Sequence, residues 1–128
     1  MIDFRTYVET ITKSQLDEVE KFADKLFAKL NIDVDLGSKH LFDRINDARN
    51  GKPISTGEMI ALFRKTFKKY GSYIKDKPGM QAVINDINSD LNLPFMLKWD
   101  SKNSELDLIA KTVMRKKDFK TSNKKLKV

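Results

Sequence analysis

The sequence predicts an α+β fold in which amino-terminal helices precede a small antiparallel sheet, and three observations carry that prediction. Apolar residues recur at spacings of three and four as far as about residue 70. From residue 93 onward they alternate instead, in segments joined by a polar turn. Helices come first and strands follow, the order of a segregated α+β domain rather than of alternating βαβ units. At 128 residues the chain has the length of one domain. It divides into a helical amino-terminal extension over 1–31 and an α+β core over 32–128.

A short first helix is expected over 3–11. Ser14 with Asp17 then reads as a cap opening a helix over about 15–31, whose stripe of Leu16, Val19, Ala23, Leu26, Phe27 and Leu30 faces inward. NIDVDL (31–36) alternates as a short strand that Gly37 ends. Ser38 caps a helix over about 39–50, with Leu41, Ile45 and Ala48 inward and Asn50-Gly51 and Pro53 as its stop. Ser55 and Glu58 form a capping box for a helix over about 56–70, which buries Met59, Leu62, Phe63, Phe67 and Tyr70. Gly71, Pro78 and Gly79 break the chain, and MQAVINDINSDL (80–91) fits either a helical turn or a strand. LPFMLKWD (93–100) and ELDLIAKTVMRK (105–116) read as a β-hairpin, and NKKLKV (123–128) as a third strand.

Composition narrows the chemistry. The chain has no cysteine and one histidine, which removes disulfides, thiolate catalysis and Cys- or His-rich metal sites. A carboxylate-only magnesium or calcium site stays open, but no EF-hand spacing occurs, and neither a metal nor a cofactor is expected. No apolar run approaches the roughly 18 residues of a membrane span, and MIDFRTYVETITKSQ lacks the features of a secretory signal, so a cytoplasmic location is expected. The net charge is +7, and residues 98–128 hold ten Lys/Arg against four Asp/Glu. A basic end of that kind suits RNA, DNA or an acidic protein surface, or simply solubility.

Candidate chemistry sits in two places. On the helix over 39–50, His40, Arg44 and Asp47 share a face. A histidine moves protons near neutral pH and an arginine grips a phosphate through paired hydrogen bonds, the parts needed to cleave RNA through its own 2′-hydroxyl. An unexceptional surface helix explains the same spacing. In the hairpin, alternation turns Lys111 and Arg115 to one face, with Lys98 across from them. Arg49, Lys116, Lys117, Lys120, Thr121 and Lys124 extend the basic surface. Trp99 and Phe119 lie among these cations, where an aromatic can stack on an unpaired base; Trp99 reads as a core residue and Phe119 stays open.

The pieces DVDLGSKHLFDR, ISTGEMIALFRKTF, LPFMLKWD and ELDLIAKTVMRK, taken in order, resemble the RelE/barnase-type (BECR) ribonuclease superfamily over about residues 32–128. KWDSKNSELDLIAKTVMRKKDFKT also looks like small proteins of tailed phages. The resemblance implies a metal-independent endoribonuclease with His40 as general acid or base and Arg44 on the scissile phosphate. Lys111, Arg115 or Thr121 would complete the site. The longer 71–92 segment and the extra amino-terminal helices depart from that pattern. A second reading is a non-catalytic nucleic-acid binder or virion component of a phage, working in the host cytoplasm or in the particle. A third is a protein-interaction or homo-oligomer module using the amino-terminal helices.

Overall fold

The computed structural model describes residues 11–128. The helix expected over 3–11 lies outside them apart from Ile11, which is buried and exchanges two hydrogen bonds of 2.8 Å with the Asn46 side chain. The elements are α1 (Lys13–Phe27), β1 (Ile32–Asp35), α2 (Lys39–Ile45), α3 (Thr56–Ile74), β2 (Gln81–Asp86), β3 (Leu91–Asp100), β4 (Glu105–Ala110), β5 (Met114–Arg115) and β6 (Lys124–Lys127). Short 3₁₀ turns at Ala28–Leu30 and Ala48–Asn50 follow α1 and α2. The class is α+β, as expected.

The strands form one sheet in the order β1-β4-β3-β2-β6, with β5 beside the start of β3. It is mixed rather than antiparallel, which corrects the expectation. β2, β3 and β4 are joined by tight turns and must alternate in direction, whereas β1 runs parallel to β4 and β6 parallel to β2. Helices separate β1 from its partner and a crossover separates β6 from its own, so no hairpin constrains either. The segment 123–128 is thus a strand, but it joins β2 and not the 93–116 hairpin. The ambiguous 80–91 stretch holds β2 and the turn after it.

The helix boundaries differ from the sequence reading for local reasons. Thr12, not Ser14, caps α1: its hydroxyl accepts the Gln15 N–H at 3.1 Å while Gln15 Oε1 accepts the Thr12 N–H at 2.9 Å. The Ser55–Glu58 capping box opens α3 as expected. α3 then runs through Gly71, where a side chain would meet Leu30 Cδ1 at 2.8 Å. Glycine is a contact point for the turn after α1 here rather than a stop. α2 ends at Ile45, so Ala48 is exposed instead of packing inward.

α1 belongs to the core and is not an extension of it. Leu16, Val19, Ala23 and Phe27 are buried, and the Phe27 ring meets Phe63 of α3 edge-on at 6.3 Å. The stripe that a partner could have used is therefore covered by the sheet and α3. Among the described residues no helix is long and apolar enough to cross a membrane. α1 also closes the outer edge of β1: the Val34 N–H donates to Asp24 Oδ1 at 2.6 Å and the Leu36 N–H to Glu20 Oε2 at 2.7 Å. Those amides would otherwise form an open edge.

Burial pushes the Asp24 carboxyl up to about 6, against the pull of the Val34 N–H, with Asp33 and Glu20 raising it further. Between the ordinary value of 3.8 and about 6 the folded protein holds more protons than the unfolded chain, so stability falls as pH rises through that window. Asp24→Asn keeps an acceptor and removes the titration. It is expected to flatten that fall in urea midpoints measured from pH 4 to pH 7, whereas Asp24→Ala opens the edge and lowers the midpoint throughout.

Candidate nucleic-acid interface

The four residues assigned to catalysis do not form one cluster, because Lys111 and Arg115 lie at different levels of the sheet. His40 is exposed in the first turn of α2 and has no hydrogen-bond partner among the described residues. Arg44 is turned toward the protein, with Nη1 on Asp47 at 3.5 Å and Nη2 on Met114 Sδ at 3.6 Å. Arg49 is exposed but forked onto the same Asp47, with Nη2 at 2.8 Å from Oδ2. Those contacts hold the Asp47 carboxyl well below its usual range and raise Arg49.

Lys111 and Arg115 do not share a strand face, because β4 ends at Ala110 and the alternation slips where Thr112 and Val113 are both buried. Lys111 Nζ reaches Gln81 at 2.7 Å, beside Met96 of β3, whereas Arg115 pairs with Leu91. Five residues of strand separate those levels, roughly 17 Å. Arg115 is 13% exposed and uses all five of its N–H groups. Nε donates to Lys52 O, Nη1 to Glu58 Oε2 and Ser89 O, and Nη2 to Glu58 Oε1 and Pro53 O, at 2.7–3.1 Å. No donor is left over for a phosphate.

Arg115 lines a cleft of about 400 Å³ with Lys52, Glu58, Lys65, Asp86 and Ser89. The cleft is neutralised from within. Lys65 Nζ bonds both Asp86 oxygens at 3.0 and 3.2 Å, as Arg115 bonds both of Glu58. Burial alone would raise both carboxyls, but the hydrogen bonds from Arg115 and Lys65 and from turn amides outweigh it and hold both below their usual values. Such balance suits a brace better than a polyanion site.

The remaining cations separate by position. Lys98 lies on β3 opposite Asp107 and next to Asp100, so it sits among acids. Asp33, Glu105 and Asp107 each place a carboxylate oxygen within 4.8 Å of the others, an arrangement that could hold a cation. Desolvation and mutual repulsion raise Glu105 and Asp107, and Asp107 Oδ1 is buried without a partner among the described residues. Trp99 is 51% exposed near this acidic end, which corrects its reading as core. Its register partner Leu106 is buried, but β3 runs past the start of β2 here, so no β2 residue pairs with Trp99.

Lys116, Lys117 and Lys120 are exposed on the crossover from β5 to β6, and Lys124 is exposed on β6. Phe119 and Thr121 are half-buried, and the Thr121 hydroxyl accepts the Asn123 N–H at 3.0 Å. Lys124 leads to a residue that the sequence reading missed. Its Nζ stands 5.2 Å from the ring centroid of Tyr73 on α3, and Lys77 Nζ stands 4.2 Å from the same ring. The signal was present in KKYGSYIKDK (68–77), but taking Gly71 as a helix stop left Tyr73 in an unassigned loop.

No family model matches the chain, and no curated protein or solved structure matches it. Arg115→Ala leaves Glu58 without its cation and three loop carbonyls without their donor. It is expected to cost about 3 kcal/mol in urea denaturation at pH 7, and less at acid pH, where Glu58 is protonated. Arg115→Lys, which has no fork, should restore little of it.

Proposed function

We propose that the protein binds nucleic acid without cleaving it, through the basic half of the sheet. One observation carries this reading. Five exposed lysines, Lys116, Lys117, Lys120, Lys124 and Lys127, lie along the crossover and β6, with Lys124 beside the exposed Tyr73, while Arg44, Arg49 and Arg115 are paired within the protein. Unpaired lysines release counterions from a phosphate backbone, which gives affinity without sequence preference. The ribonuclease reading draws support from the exposed imidazole of His40, one turn from Arg44. It needs an anion-binding arginine, and Arg44, Arg49 and Arg115 each have partners already.

Binding to short oligonucleotides should weaken steeply with salt. Reversing Lys116, Lys117, Lys124 and Lys125 to Glu together should lower the slope of log affinity against log salt by about 3, with the fold intact. An unchanged slope would count against this surface.

A mixed RNA pool incubated with wild-type or His40→Ala protein in EDTA should stay uncut in both cases. Cleavage by the wild type alone, leaving 2′,3′-cyclic phosphates, would restore the enzyme reading.

A further inference from the structure

Tyr73 stands in the last turn of α3 and is 37% exposed, one of three large hydrophobic side chains that reach solvent among the described residues. Unlike Ile87 and Trp99, it has cations on it. Lys77 Nζ lies 4.2 Å and Lys124 Nζ 5.2 Å from its ring centroid. Tyr70 meets the ring edge-on at 6.3 Å, and Tyr70 itself packs against the core, so the platform is oriented from behind. Lys124 is placed by its register with Ala82 of β2, so a strand and the turn after α3 bring the two lysines to one ring.

Resting on the nucleic-acid reading above, we propose that Tyr73 is a stacking platform for an unpaired base of single-stranded nucleic acid. Lys77 and Lys124 move from the ring to the flanking phosphates as the strand binds. A cation over an exposed aromatic is held weakly, and a phosphate competes for it as a full opposite charge. Lysine stems are flexible enough to make that exchange while the backbone stays in place. Lys77 also lies 3.6 Å from the exposed carboxylate of Asp76, a surface pair that contributes little and gives way to phosphate in the same manner. The ring face so released can take a base, and every base has a face to offer. In a duplex those faces are already stacked on one another, so the site selects single strands.

The test uses a 12-mer carrying one 2-aminopurine, whose fluorescence is quenched on stacking, presented as a single strand and as a duplex. The proteins are the wild type, Tyr73→Phe and Tyr73→Leu, each first shown to unfold at the same temperature. Wild type and Tyr73→Phe should bind the single strand alike and quench it. Tyr73→Leu should bind it about tenfold more weakly without quenching, with unchanged salt slope and unchanged affinity for the duplex. A separate Lys77→Gln, Lys124→Gln variant should lower the single-strand salt slope by about 1.4. If Tyr73→Leu binds the single strand as tightly as the wild type, the platform is wrong while the basic surface stands. If the wild type binds neither form, the nucleic-acid reading falls and the platform with it.

Discussion

The guanidinium of Arg115 is the contact on which the junction of β5, the start of α3 and the β2–β3 turn depends. It belongs to a two-residue strand, yet it ties the loop carbonyls of Lys52 and Pro53, the first turn of α3 through Glu58, and the β2–β3 turn through Ser89. Its own N–H donates to Asn50 Oδ1 at 2.9 Å, and Asn50 in turn bonds the last carbonyls of α2. A planar fork with five fixed donors can join this many acceptors at once; an ammonium cannot. The same Glu58 carboxylate closes the capping box with Ser55, so the start of α3 and the position of β5 are set together.

Strand order then sorts the charge. β1 and β4 carry Asp33, Asp35, Glu105 and Asp107 at one end of the sheet, and β6 carries Lys124, Lys125 and Lys127 at the other. Five strands at the usual spacing put the outer two about 19 Å apart. That exceeds the roughly 8 Å over which charge is felt at physiological salt. The lysines of β6 are thereby set apart from those four carboxylates. The parallel pairing of β6 with β2 achieves this, since a third strand added to the hairpin would have set the lysines against Glu105 and Asp107.

Much of the fold was legible because local chemistry agreed with it. Ser38, the Ser55–Glu58 box and the stripes through Val19, Phe27, Met59 and Phe63 all act over a few residues, and each stands where its spacing placed it. The directions of β1 and β6 were not legible, because they depend on partners 74 and 42 residues away. The site divides in the same manner. Basic residues at 116–124 are exposed, as a charged run should be, but pairing decides which cations remain available. Nothing near Arg115 in sequence announces Glu58, Lys52 or Ser89. The exposure of Trp99 and Tyr73 was not legible for a related reason: whether an aromatic is covered depends on what crosses over it.

The carboxylates of Asp24 and Glu20 against the outer amides of β1 have a further bearing on how copies of this chain can associate. A file of molecules growing strand to strand needs a donor edge and an acceptor edge on every member. Here one edge is stoppered by side chains of the same molecule, and removing them exposes two buried-side amides before any new bond can form. Backbone pairing at the β6 edge can therefore happen once and not repeat. The outer edge of this six-stranded sheet at β1 is in this way closed to strand-by-strand growth.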